Sequence, residues 1–347
     1  MKKELLMGTA LVSTLGAASV AEAVTATMSG NHQTGVEFDS PTGGTDTNAQ
    51  INDNNFTVSL SETTDGGMTI SSSFKLMDEN AAAGDVDAGF TLAFTDGSKL
   101  DVLNAGNASG SHAVSIPGSA GAEGVATTST NAASTGLDVG ATATVLGVEY
   151  HTASDFLADG LKMSFSASTD SGAAATGTYR VDSHYAIGAT YVTDLGDSSV
   201  TIGAGISESE GSKTGVAATN DNGNFHVGIS AVTGDLTVAV GVADATAAGI
   251  ALASANEADY EVMKAGVKYV SGDLTFNVGI ASGDAKDAAV GSSGTTDDSI
   301  DSTSASISYA VASGVTAILG YTSVEASDEG AATDDGSAWY IGANMAF

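Results

Sequence analysis

Residues 225–242 read Phe225-His226-Val227-Gly228-Ile229-Ser230-Ala231-Val232-Thr233-Gly234-Asp235-Leu236-Thr237-Val238-Ala239-Val240-Gly241-Val242. Phe225, Val227 and Ile229 fall at every second position, as do Leu236, Val238, Val240 and Val242, with Gly234-Asp235 between the two runs. A period of two, broken by Gly-Asp, predicts two antiparallel strands joined by a tight turn. The intervening positions hold Gly, Ser, Thr, Ala and one His, with almost no charge. A water-soluble sheet buries its apolar face and presents Lys and Glu on the other. Apolar residues alternating with small polar ones instead suit a sheet with lipid on one side and a hydrated lumen on the other.

The same unit recurs in both directions along the chain. Val24, Ala26 and Met28 open it. Hairpins then turn at Asp65-Gly66-Gly67, Asp96-Gly97, 155–160, 194–197, Gly234-Asp235, Gly272-Asp273 and Ser313-Gly314, and Trp339, Ile341, Ala343, Met345 and Phe347 close it. One opening strand, seven hairpins and one closing strand make sixteen. Longer connections are expected at about 39–54, 78–87, 104–140, 168–182, 207–223, 244–259, 283–303 and 323–336. The expected fold is therefore all-β: residues 24–347 form a 16-stranded antiparallel transmembrane β-barrel with short periplasmic turns and long extracellular loops. Closure is required because an open sheet edge in hydrocarbon leaves N–H and C=O groups unpaired. Phe94, Tyr150, Tyr191, Tyr269 and Tyr309 share the apolar parity just before a turn, as an interfacial aromatic belt would.

Residues 1–23 read as a secretory signal peptide: Lys2 and Lys3, an apolar run from Leu5 to Ala18, then Ala21-Glu22-Ala23. The chain has 347 residues, 42 Asp+Glu against 10 Lys+Arg, a net charge of -32 and no cysteine. Nucleic acid is excluded as a partner, because phosphate recognition needs a basic surface. Disulfide frameworks and thiolate metal centres are excluded as well. The five histidines are dispersed without metal-ligand spacing, and no local motif singles out a nucleophile, so neither a metal, a cofactor nor a catalytic residue is assigned.

The start Val24-Thr25-Ala26-Thr27-Met28-Ser29-Gly30 resembles the first strand of Gram-negative general porins, especially alphaproteobacterial ones. The end, Trp339 to Phe347, resembles the outer-membrane assembly signal, with a terminal Phe and apolar residues at every second position. The segment 104–140 occupies the place of the porin constriction loop, after the fifth strand. This resemblance implies a homotrimer in the outer membrane, contact with its lipid, and passage of small hydrophilic solutes. It also implies insertion by the barrel assembly machinery, which reads Trp339, Ile341, Ala343, Met345 and Phe347. The resemblance does not extend to the arginine cluster that faces an acidic constriction loop in many general porins. Here Arg180 is the only arginine, placed by periodicity in a loop, and 104–140 carries only Glu123 and Asp138 as acids.

Strand parity points Glu37, Lys75, Asp101, Glu149, Lys162, His184, His226, Lys264 and Lys268 toward the lumen, as pore-lining candidates. Asp284, Asp287, Asp297, Asp298 and Asp301 in the seventh long loop, and Glu325, Asp328, Glu329, Asp334 and Asp335 in the eighth, form an acidic mouth expected to favour cations. These carboxylates suit calcium, though a solvated acidic surface is the simpler reading. The expected function is an outer-membrane diffusion channel. A calcium-binding surface or secreted adhesin, a structural outer-membrane protein, or an enzyme built on a barrel are the alternatives. The adhesin would need a short Gly/Asp repeat that the chain lacks.

Overall fold

The computed structural model describes residues 24–42, 44–78, 89–103, 106–118, 146–169, 179–213, 216–248, 257–287, 296–327 and 335–347. Residues 1–23, where a signal peptide is expected, and Glu123, Asp138, Asp328, Glu329 and Asp334 lie outside these residues. The strands are β1 (Thr25–Pro41), β2 (Thr47–Thr63), β3 (Thr69–Asp78), β4 (Phe90–Ala93), β5 (Lys99–Val102), β6 (Leu146–His151), β7 (Leu161–Thr169) and β8 (Tyr179–Leu195). They continue as β9 (Ser198–Lys213), β10 (Val216–Thr233), β11 (Leu236–Ala248), β12 (Glu257–Ser271), β13 (Leu274–Asp287), β14 (Thr296–Ala312), β15 (Val315–Ser327) and β16 (Gly336–Ala346). Each pairs antiparallel with its sequence neighbours, and β16 pairs with β1 to close a barrel. Gly30 and Phe347 seal the seam with reciprocal backbone hydrogen bonds of 3.1 and 3.0 Å. Among the described residues every strand therefore has a paired neighbour on each side, as a sheet in lipid requires.

The seven tight turns share one device. Gly67, Gly97, Gly160, Gly196, Gly234, Gly272 and Gly314 all have positive φ, between 54 and 87°. A residue with a Cβ is strained there, so a glycine in each turn sets each hairpin. In the second turn, Asp96 accepts from the Ser98 hydroxyl at 2.7 Å and the Ser98 N–H at 2.9 Å. These bonds, the hydroxyl first, hold its carboxyl below the usual range.

Burial alternates along the strands in the sense opposite to a soluble sheet. In β13, Val278 is 52% exposed while Asn277 is 4% exposed. Ile202, Ile206, Phe225, Ile229, Met263 and Ile307 share the exposed outer face. Ser164, Ser166, Ser168, Ser302, Ser304, Ser306 and Ser308 share the buried inner one. Phe94, Tyr150, Tyr191, Tyr269 and Tyr309 are exposed on the apolar face, near the turns.

Several strands run further than hydrophobic alternation predicts. Periodicity assigns 39–54 and 207–223 to loops, yet β1 and β2 pair as far as Asp39 with Thr47, and β9 continues to Lys213 before β10 begins at Val216. Arg180 likewise lies in β8, and Asn220 to Gly223 lie in β10. Past the apolar band these strands carry Thr, Ser, Asn, Asp and Glu on both faces. The period-two signal vanishes there while the backbone ladder continues.

Candidate functional site

After β5 the chain leaves the wall, and residues 106–118 lie against the inner faces of β6 to β13. The segment contains one 3-10 turn, Gly110–His112. Its close approach depends on a track of inward-facing glycines: Gly188 on β8, Gly203 and Gly205 on β9, Gly228 on β10, Gly266 on β12 and Gly279 on β13. Gly188 pairs with Gly205, Gly203 with Gly228, and Gly266 with Gly279. A methyl added at Gly188 would come within 2.6 Å of the His112 ring, at Gly228 within 2.9 Å of Val114, and at Gly266 within 2.8 Å of the Pro117 backbone. Such separations leave no room for a Cβ, so the wall is bare where the segment rests. Val114 and Ile116 pack there against Ala239, Ala243 and Val262.

Polar groups pin the start of the segment. Glu149 on β6 accepts from the Gly106 N–H at 2.8 Å and the Ser111 hydroxyl at 2.9 Å. The Ala108 N–H donates to Ser166 at 3.0 Å, and His226 Nε2 donates to the Ser109 carbonyl at 2.9 Å. A chain of hydrogen bonds then runs along the wall. His112 Nδ1 meets Thr190 at 2.6 Å and its Nε2 meets Ser164 at 2.7 Å. Ser164 also meets His151 Nδ1 at 2.7 Å, and His151 Nε2 lies 2.9 Å from Asp101 Oδ2. Thr91 donates to the other Asp101 oxygen.

With both imidazoles neutral, this chain has one polarity. An ionised carboxylate only accepts, so His151 carries its proton on Nε2 and accepts the Ser164 hydroxyl proton at Nδ1. Ser164 then accepts from His112 Nε2–H, and His112 Nδ1 accepts from Thr190. Burial pushes the His112 imidazole down to about 4, with the nearby Lys162 ammonium adding to the push, so it stays neutral at pH 7. Asp101, His151 and Ser164 thus make the contacts of a nucleophilic triad, but Ser164 is fully buried between two imidazoles. No carbonyl can approach its oxygen, and the arrangement works as an anchor.

Glu37, on β1, lies half-buried at the inner parity. Asp101 and Glu149 are buried and directly opposite each other on β5 and β6. His184, His226 and Lys264 are buried, Lys162 is half-buried, and Lys75 and Lys268 are exposed, all at the inner parity. Histidines that are dispersed in sequence converge in space, since His112, His151 and His226 all engage the segment or its anchor. Sequence reasoning missed His112, His151 and Ser164. The available signal was Glu149 and His151 sharing the polar parity of one strand.

The acidic residues are placed differently from a loop-borne mouth. Asp284 and Asp287 lie on β13, Asp297, Asp298 and Asp301 on β14, Glu325 on β15, and Asp335 just before β16. Asp284, Asp301 and Glu325 are exposed at the outer-face parity, as are Asp244 and Glu261. Across the sheet, Asp244 faces Glu261, Glu261 faces Asp284, and Asp301 faces Glu325. The result is an arc of carboxylates on the outside of β11 to β15, beyond the apolar band. At the seam, Trp339, Ile341, Met345 and Phe347 are exposed on the outer face and Ala343 is half-buried.

A profile of Gram-negative porins matches residues 8–328. Among solved structures, the anion-selective porin from Comamonas acidovorans superposes with a TM-score of 0.65 at 12% identity, covering 93% of this chain and 100% of that one. The outer membrane channel DcaP of Acinetobacter baumannii gives 0.66 at 10% identity, covering 93% and 97%. OmpT of Vibrio cholerae gives 0.60 at 13% identity, covering 95% and 99%. No curated protein sequence matches this chain. The closed sixteen-stranded barrel, its lipid-suited exterior and the profile match over most of its length agree: the chain belongs to the Gram-negative porin family, as a non-enzymatic channel of the outer membrane.

Proposed function

We propose that this channel passes small hydrophilic solutes and ions by passive diffusion, narrows at the 104–140 segment, and prefers cations. The observation that carries the narrowing is the seat of residues 106–118 on the inner wall glycines. On one side of that seat, Ser111, Ser115, Thr190, Thr201 and Ser230 line a recess of about 250 Å³. Elsewhere on the inner wall, both ring nitrogens of His184 and the side-chain amide of Asn224 meet no partner among the described residues. Such groups suit a hydrated path rather than a dry core. Lys75, Lys162, Lys264, Lys268, Glu37, His184 and His226 would line it, whereas Asp101 and Glu149 serve first as anchors.

The net charge of -32 and the exposed Asp284, Asp301 and Glu325 support a cation preference, through a field reaching about 8 Å at physiological salt. The neighbour from Comamonas acidovorans is described as anion-selective. The shared barrel therefore does not set the sign, and the charges of each chain must. Reversal potentials across a planar bilayer under a salt gradient test this. Anion preference would refute the electrostatic reading and leave the barrel standing. We further read the chain as a homotrimer whose β16 residues are recognised by the assembly machinery. Cross-linking and a Phe347→Ala insertion assay test those two points.

A further inference from the structure

We propose that Asp101, Glu149 and His151 form a binding site for one first-row divalent cation, at the anchor of the inserted segment. The inference does not depend on the channel's selectivity. The three ligand atoms lie within 4.8 Å of one another, and all three residues are buried. His151 Nε2 is 2.9 Å from Asp101 Oδ2 and 3.6 Å from Glu149 Oε1. Adjacent ligands on a cation with bonds of about 2.0–2.2 Å sit roughly 3–3.5 Å apart, so little movement is needed. One imidazole with two carboxylates favours a zinc- or manganese-like ion over calcium, which takes an all-oxygen set.

Two independent features point the same way. Asp101 and Glu149 are direct cross-strand partners, a pairing of like charges that destabilises a sheet. Among the described residues, His151 is the only group of possible positive charge that pairs with either of them. The outer contacts of a metal site are also already built. Thr91 holds the other oxygen of Asp101, Gly106 N–H holds Glu149 Oε2, and Ser164 holds His151 Nδ1.

The histidine chain lets the site load without losing a proton. A cation on Nε2 needs that nitrogen bare, so the proton of His151 moves to Nδ1 and points at Ser164. Ser164 turns its hydroxyl to His112 Nε2, and His112 then carries its proton on Nδ1, toward Thr190. Every link is a hydroxyl or an imidazole, so the polarity reverses with the proton count unchanged. Gly106 and Ser111, which cover Glu149, are themselves exposed, and this leaves a route from the lumen.

The test uses the full barrel in detergent, stripped with EDTA and titrated with Mn²⁺, with Zn²⁺ as competitor. Pulsed electron paramagnetic resonance then reads nitrogen coupling, which separates this site from the all-carboxylate arc on the outside of β11 to β15. One ion per chain coupled to one imidazole nitrogen is expected. His151→Gln should abolish the coupling, His32→Gln should keep it, and Asp101→Asn and Glu149→Gln should each weaken binding at least about tenfold. Heat-modified gel mobility confirms that each variant is a folded barrel. If His151→Gln does not fold, the wild-type and His32→Gln spectra decide the matter. Mn²⁺ bound without nitrogen coupling, or coupling that survives in folded His151→Gln, overturns the proposal.

Discussion

Replacing Ser164 with alanine removes one hydroxyl that serves two imidazoles, His112 Nε2 and His151 Nδ1, each at 2.7 Å. Both nitrogens are buried, and alanine offers neither a donor nor an acceptor. Each orphaned group costs about 1–3 kcal/mol, so the seated segment loses about 2–6 kcal/mol relative to a released, hydrated one. That shifts the seating equilibrium by roughly 30- to 20,000-fold. The barrel's own ladders are untouched, because Ser164 pairs with Gly188 and His151 through its backbone. Single-channel recording in planar bilayers is the assay. Ser164→Ala should give noisier open states with more frequent substates, at unchanged gel mobility. Ser166→Ala, which loses only the bond from Ala108 N–H, should be milder. A Ser164→Ala channel as quiet as wild type, with the same conductance, would show that the hydrogen-bond chain does not hold the segment.

Acid should loosen the same seat. His112 is held down to about 4 in place, against 6.5 when hydrated, so its contribution is full above pH 6.5 and is lost as pH falls toward 4. The loss reaches up to about 3 kcal/mol, and conductance noise against pH should rise across that window and flatten in His112→Gln. Gly266→Ala puts a methyl on the Pro117 backbone and should weaken the seat by about 1–3 kcal/mol, whereas Gly223→Ala, with open space around it, should change nothing in the same recordings. Glu261→Gln relieves like-charge pairing with Asp244 and Asp284 and should stabilise the barrel by about 0.4–2 kcal/mol in low-salt thermal unfolding, with the gain shrinking in high salt.

The barrel was legible because lipid imposes a strict rule on each strand. Every hairpin from Met68 onward repeats apolar residues at one parity and small ones at the other, and a glycine in each turn marks the reversal. The outer ends of the strands were not legible, since neither face of Asn48 or Ser209 meets hydrocarbon and nothing forces alternation there. At the site, parity alone placed Asp101 and Glu149 on the inner face. Their direct pairing could not be read, because a long connection separates β5 from β6 and the register across it is set by the whole sheet. His112 belongs to the inserted segment, where burial alternates from Ser111 to Gly118, but so short a run does not say which strands it faces. Its environment comes from Ser164 and Thr190, on two other strands.

The bare stretch of wall beneath the inserted segment has an evolutionary consequence. Each glycine codon is a single base change from alanine or valine. A lineage meeting a new nutrient or toxin can therefore alter its filter one mutation at a time at Gly188, Gly203, Gly228 or Gly266. The turn glycines, the seam and the oily exterior need not change with it. Permeability can drift while biogenesis is conserved.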